Sequence, residues 1–237
     1  MTKVSELAKM IDHSVLNPTM TDSDLEKHCA IARKYDVASV CVKPYAVKQA
    51  VELLNGSNVL VGCVIGFPHG NSSTAVKVFE AEQAVKDGAV EIDMVINIGK
   101  ALGGDWDYVE HEIKTVTEVC HRNNAIVKVI FETDYVTRDI DKIRLCEICT
   151  RTGADFVKTS TGFGFFKQSD GSYNYTGATV ADIELMRKHS GPKVQVKCSG
   201  GVRTLDSLLR MKEAGATRSG ATATEAIMEE AIKRFGI

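Results

Sequence analysis

The 237-residue sequence has almost no excess charge of either sign: 29 Lys and Arg stand against 31 Asp and Glu, a formal net charge of -2. No global field draws such a chain to a polyanion, which argues against nucleic-acid binding. Proline is scarce, with four residues, too few for a fibrous or Pro-rich disordered chain. Nowhere do about 18 uncharged apolar residues run together, and Met1 to Leu16 holds no apolar run of signal-peptide length. Membrane spanning and secretion are both disfavoured.

Clustered metal ligands and paired cysteines are missing too. His13, His28, His69, His111, His121 and His189 have no ligand spacing, so no metal is expected. Cys29, Cys41, Cys63, Cys120, Cys146, Cys149 and Cys198 are odd in number and scattered through apolar segments, which fits a reducing, cytoplasmic setting. Cys146-Glu-Ile-Cys149 has CxxC spacing without a second pair. It reads either as a metal or redox pair or as two core-facing helix cysteines.

What is present is ordinary globular material, 44% hydrophobic and 25% charged. Short apolar runs recur at Ile11 to Leu16, Ser39 to Val42, Val61 to Phe67, Glu91 to Ile96, Ile126 to Phe131, Phe156 to Thr159, Val194 to Lys197 and Ala216 to Gly220. Their starts fall roughly 30 residues apart, the length of a strand, a crossover helix and two turns. Several are apolar on both faces, as in parallel strands covered by helices. Helix start signals precede Leu25 (Thr21-Asp22-Ser23-Asp24), Ala75 (Ser72-Ser73-Thr74), Val180 (Thr179) and Leu205 (Thr204). Lys86-Asp87-Gly88-Ala89 and Lys212-Glu213-Ala214-Gly215-Ala216 place a glycine just past a helix end. Eight such units without a linker predict an α/β fold, one (β/α)8 TIM-barrel domain over residues 1–237.

In such a barrel the site lies at the C-terminal ends of the strands. Lys128, Lys158 and Lys197 each stand inside an apolar strand, on runs five, six and seven. Neighbouring strands would direct these amines toward one mouth, where desolvation and mutual repulsion lower a lysine pKa. A free amine attacks a carbonyl to form a Schiff base, an electron sink for breaking the bond beyond the adjacent carbon. Any one of these lysines could instead only neutralise a carboxylate or hold a phosphate. On run four, Glu91 and Asp93 are taken to lie on alternate faces, with Asp93 inward and handling a substrate proton. Glu91 would face the helix layer or sit near the N-terminal end. Asp93 and Asp12 could equally be buried carboxylates that brace the barrel.

Two glycine-rich turns follow the last two strands: Ser199-Gly200-Gly201-Val202-Arg203 and Gly220-Ala221-Thr222-Ala223. Barrels often hold phosphate there on backbone N–H groups and a helix N-terminus; plain turn-making is the other reading. Arg203 would add charge to the site or pair on the surface.

Six segments in order give the chain a resemblance to the deoxyribose-phosphate aldolases, a class I aldolase family with an eight-stranded barrel. They are Ile11-Asp12-His13-Ser14-Val15-Leu16, Ser39-Val40-Cys41-Val42, Gly62-Cys63-Val64-Ile65-Gly66-Phe67-Pro68, Glu91-Ile92-Asp93-Met94-Val95, Lys158-Thr159-Ser160-Thr161-Gly162-Phe163-Gly164, and Lys197 through Gly200-Gly201-Val202-Arg203. The resemblance implies that Lys158 forms the Schiff base, that Lys197 perturbs its pKa and shuttles a proton, and that Asp93 takes part in proton transfer. It implies Asp12, Lys128 as charge partner of Asp93, Cys41 as a thiol at the mouth and Thr161 as supporting residues. Gly162 would join Gly200, Gly201, Arg203, Gly220, Thr222 and Ala223 around the phosphate. The implied substrate is 2-deoxy-D-ribose 5-phosphate, cleaved reversibly to D-glyceraldehyde 3-phosphate and acetaldehyde with no cofactor, by a homo-oligomer expected to be a dimer.

Two departures accompany the resemblance. Phe165 to Tyr175 is longer than the family's glycine-rich connection, and reads as a lid, a subunit contact or a solvated loop. The last phosphate turn has Thr222 and Ala223 where the family carries two serines, so one hydroxyl is missing. The rivals are a noncovalent sugar-phosphate isomerase or epimerase, a catalytically silent sugar-phosphate-binding barrel, and a metal-dependent aldolase.

Overall fold

The computed structural model describes residues 2–236. After α1 (Lys3–Ala8), the chain alternates β1 (Ile11–Val15), α2 (Asp22–Tyr35), β2 (Ser39–Val42), α3 (Val47–Leu54), β3 (Leu60–Ile65), α4 (Thr74–Lys86) and β4 (Glu91–Val95). Two helices, α5 (Ile98–Leu102) and α6 (Trp106–Arg122), lead to β5 (Ile126–Ile130), then α7 (Asp139–Thr152) and β6 (Phe156–Lys158). An antiparallel hairpin follows, β7 (Phe166–Lys167) and β8 (Tyr173–Asn174). The chain closes with α8 (Val180–His189), β9 (Gln195–Ser199), α9 (Leu205–Glu213), β10 (Arg218–Ala221) and α10 (Thr224–Phe235).

Eight parallel strands close in the order β1-β10-β9-β6-β5-β4-β3-β2, the barrel that the eight apolar runs predict. The ends differ by a few residues. The seventh run starts at Gln195 and continues to Ser199, and the eighth starts at Arg218 rather than Ala216.

Local chemistry explains the boundaries. Thr21 accepts from the Asp24 N–H while the Asp24 side chain accepts from the Thr21 N–H, a reciprocal cap that starts α2. Thr179 and Thr204 cap α8 and α9 through their hydroxyls. Ser73 starts α4 without a side-chain cap. Gly88 and Gly215 follow α4 and α9 at φ of +108° and +110°, a backbone region that side chains resist.

Outward strand residues such as Ile92, Met94, Val127 and Val129 are fully buried under the helices. That layer also holds charge. Lys77 of α4 meets Glu112 of α6 at 2.8 Å with both side chains fully buried, and donates to the Val95 carbonyl at 2.7 Å.

Glu91 and Asp93 require a correction. Two residues apart on a strand, their side chains return to the same face, and both point into the barrel: Glu91 lies 2.5 Å and Asp93 2.9 Å from the Lys128 ammonium. Glu91 sits below Asp93, nearer the N-terminal end, because the strand rises by about 3.3 Å per residue between them.

Candidate active site

Six strands deliver charged side chains to the barrel interior. Asp93 of β4 is fully buried. Its Oδ2 accepts from Lys158 of β6 at 2.7 Å and from Lys197 of β9 at 2.6 Å, and its Oδ1 from Lys128 of β5 at 2.9 Å. Asp12 of β1 faces Lys197 at 2.5 Å and Lys128 at 3.3 Å, and accepts from Ser39 at 2.7 Å. Arg218 of β10 completes the network with contacts to Asp12 at 2.5 Å and Glu91 at 3.1 Å.

This network contains four cations (Lys128, Lys158, Lys197, Arg218) and three carboxylates (Asp12, Glu91, Asp93). One cation is in excess, and the least supported is Lys158. It pairs with one carboxylate, and that carboxylate is shared with two other lysines. Burial pushes the Lys158 pKa down; Asp93 pulls it up, Lys197 pushes it down again, and the outcome is a lowered pKa.

The expectation that all three lysines are depressed needs correcting. For Lys197 burial lowers the pKa, but Asp12 and Asp93 together outweigh burial and raise it. For Lys128 the same burial is overcome by Asp12, Asp93 and Glu91, and its pKa rises well above the ordinary value. Burial alone would raise the Asp93 carboxyl, but Lys128, Lys158 and Lys197 hold it well below the usual range. Asp12 is likewise lowered against burial, by Lys128, Lys197 and Arg218. Lys158 is therefore the most easily deprotonated of the three, while Lys128 and Lys197 are held as ammonium groups. An uncharged nucleophile beside a retained acid can add to a carbonyl and manage the protons released and consumed.

The amines do not all reach one mouth. Lys158 lines a cavity of about 280 Å³ at the C-terminal ends of the strands, with Gly162, Gly200, Gly201, Arg203, Gly220 and Thr222 on its wall. Lys197 lies just beneath, 1% exposed, and Lys128 is turned into the barrel toward Glu91 and Asp12 with no exposure. Gly162, Gly200 and Gly201 hold φ between +83° and +85°. Ala223 is the N-cap of α10 and contributes no side-chain cap, so the donors this turn has are backbone N–H groups and the Thr222 hydroxyl.

A model of the DeoC/LacD family aldolases matches residues 7–229. The chain belongs to the DeoC/LacD aldolase family. It is 51% identical over 229 residues to deoxyribose-phosphate aldolase 1 of Bacillus licheniformis, covering 97% of this chain and 96% of that one. A solved structure from Coccidioides immitis is 38% identical with a TM-score of 0.88, over 97% of this chain and 87% of its own. The tetrameric deoxyribose phosphate aldolase of Aeropyrum pernix is 27% identical with a TM-score of 0.85, over 96% and 92%.

In this DeoC/LacD member, Cys41 does not stand at the mouth as expected. It is 1% exposed, and burial first, then Asp93, pushes its thiol up to about 11, so it stays protonated. Cys146 and Cys149 are fully buried in α7, which is the core reading of the CxxC pair.

Residues that sequence reasoning passed over also shape the site. Arg218 was visible only as a charge in the last apolar run. Glu132 and Asp134, just past β5, are both buried. Glu132 accepts from the Thr161 hydroxyl and, at 3.2 Å, from the Thr161 N–H, so it holds the segment carrying Thr161 and Gly162 beside Lys158. Burial pushes its carboxyl up, with Asp134 adding to the effect against the Thr161 hydroxyl, to about 7. The signal was an acidic pair immediately after a strand end, where a barrel site gathers its polar residues.

Proposed function

We propose that this chain is a class I aldolase acting reversibly on 2-deoxy-D-ribose 5-phosphate, with residues 1–237 forming one catalytic domain. The observation that carries the reading is Lys158: a buried amine of lowered pKa at the floor of the mouth cavity, held at 2.7 Å by a carboxylate that two further lysines share. Membership in the DeoC/LacD family and the name of the Bacillus licheniformis relative support the substrate.

The Lys158 amine adds to C1 of the open-chain aldehyde, and the carbinolamine loses water to give a protonated imine. Removal of the C3 hydroxyl proton breaks the C2–C3 bond. The electron pair moves to the iminium nitrogen as an enamine, and glyceraldehyde 3-phosphate leaves. The enamine takes a proton at C2, and water then hydrolyses the imine to acetaldehyde and free Lys158. Asp93 and Lys197, hydrogen-bonded to each other at 2.6 Å and both adjacent to Lys158, relay these protons. Lys128 and Asp12 keep Asp93 and Lys197 charged. Gly162, Gly200, Gly201, Gly220 and Thr222 hold the phosphate, with Arg203 as the side-chain cation, and Thr161 fixes the turn above Lys158.

A homo-oligomer in the cytoplasm, a dimer by resemblance, belongs to the same reading. Light scattering separates a dimer from the tetramer of the Aeropyrum pernix relative. The test of the chemistry is borohydride reduction in the presence of acetaldehyde followed by peptide mass spectrometry. A two-carbon adduct on Lys158 is expected, and it disappears together with cleavage in Lys158→Ala. Folded protein with no adduct on any strand lysine overturns the covalent mechanism.

A further inference from the structure

The β7–β8 hairpin, the segment that departs from the family pattern, is fastened at both feet to the walls of the mouth. At the leading foot Glu132 grips Thr161, and the chain at Gly164 passes so close that a Cβ there would lie 2.9 Å from the Glu132 carboxyl carbon and from the Asp134 Cβ. At the trailing foot the Thr176 and Gly177 N–H groups donate to Asp134 at 2.6 and 3.0 Å. Gly177, at φ +74°, runs backbone against backbone over Gly200: a Cβ on Gly177 would lie 2.5 Å from the Gly200 carbonyl oxygen, and the Ala178 N–H donates to that oxygen at 3.0 Å. The hairpin base is thus part of the same structure as the first glycine-rich turn.

Tyr175 stands immediately before this trailing foot. Its ring edge packs over Gly200, its phenol oxygen accepts from Arg203 at 3.4 Å, and it meets Phe165 edge to face with centroids 5.3 Å apart. Both rings line the cavity that has Lys158 at its floor. A phenol whose oxygen accepts from a guanidinium keeps its own O–H proton to donate, and a hydrogen bond to a charged group is the stronger kind.

We infer that Tyr175 is a specificity-determining residue, which with Arg203 forms the outer wall of the anion subsite and selects aldehydes carrying a terminal phosphate over the same aldehydes without one. The inference rests on the aldolase reading for its substrate, and on the placement of Tyr175 for its mechanism. The phenol and guanidinium lie on the same side of the cavity as the Gly200-Gly201 turn, so a phosphate bound by those N–H groups meets them at its exposed side. Phe165 packs against the Tyr175 ring and fixes its tilt. The hairpin therefore acts as a fixed wall, because both its feet are tied by buried carboxylates.

The experiment compares wild type, Tyr175→Phe and Tyr175→Ala in two assays. In the first, kcat/KM is measured on 2-deoxyribose 5-phosphate and on 2-deoxyribose. Tyr175→Phe is expected to reduce the preference for the phosphorylated sugar about tenfold, mainly through KM, the size of one charge-assisted hydrogen bond. Tyr175→Ala reduces it further. In the second, the inorganic phosphate concentration giving half-maximal thermal stabilisation is measured, and it rises by a similar factor in Tyr175→Phe. A preference unchanged in both variants, or loss that is equal on both sugars, overturns the inference. If wild type forms no adduct and cleaves neither sugar, the aldolase reading fails by itself. The phosphate midpoint then still decides the role of Tyr175: a shift in Tyr175→Phe upholds it and an unchanged midpoint overturns it.

Discussion

Lys158 and Lys197 donate to the same oxygen of Asp93, at 2.7 and 2.6 Å. Two ammonium groups on one carboxylate oxygen repel each other, and the one with no second carboxylate is the one more easily deprotonated. Lys197 has Asp12 as well, at 2.5 Å; Lys158 has only Asp93 among the described residues. This asymmetry shifts the pKa values of two chemically identical side chains in opposite directions.

Lys197→Leu removes the repelling charge and leaves Asp93 Oδ2 to Lys158. The Lys158 pKa rises, so the pH giving half-maximal acetaldehyde trapping moves up. Lys197→Arg, which keeps the charge, leaves that midpoint near the wild-type value. A Leu variant with an unmoved trapping profile contradicts this assignment.

Glu132 makes stability depend on pH in a defined direction. Its carboxyl is raised from 4.5 to about 7 in the folded protein, so the native state binds more protons than the unfolded chain between those values. The contribution is fully present below pH 4.5 and is lost as pH rises to 7, on the order of 3 kcal/mol across the window. Urea unfolding of wild type and Glu132→Gln at pH 5 and pH 8 checks it. The variant is expected to lose less stability than wild type on going to pH 8, and parallel losses refute the assignment.

The buried Lys77–Glu112 pair is expected to matter through what remains when half of it is removed. Lys77→Met leaves an uncompensated carboxylate in the helix layer and costs about 3–5 kcal/mol. Lys77→Met with Glu112→Gln removes that charge while keeping an acceptor for the Asn97 N–H, which now bonds Glu112 at 2.9 Å. The double variant therefore unfolds at a higher denaturant concentration than the single one; the reverse order rules out the charge as the source of the loss.

The barrel was readable because its signals are local and repeated. Apolar runs such as Val61 to Phe67 mark strands buried on both faces, and Thr21, Thr179 and Thr204 mark helix starts by their own hydrogen bonds. Lys158 was readable because an ammonium inside such a run needs a reason. The raised pKa values of Lys128 and Lys197 were not readable, since they depend on which carboxylates lie across the barrel: Asp12 and Glu91 beside Lys128, Asp12 and Asp93 beside Lys197, from strands far apart in sequence. Glu91 does sit nearer the N-terminal end of β4, but its side chain shares the inward face with Asp93 because residues two apart on a strand point the same way. A mouth position for Cys41 is implied by the resemblance alone, and depth below the mouth depends on neighbours that a strand position does not name. The roles of Tyr175 and Glu132 became visible only once the hairpin feet were seen against Gly200 and Thr161.

All seven cysteines are buried and unpaired in the folded chain. Burial raises the thiol pKa of Cys29, Cys41, Cys146 and Cys198 to about 11 and that of Cys120 to about 12. At neutral pH the native protein therefore presents almost no thiolate to an oxidant or an alkylating reagent. Labelling of these cysteines consequently counts openings of the barrel rather than encounters at its surface, and the chain carries seven internal clocks for its own unfolding.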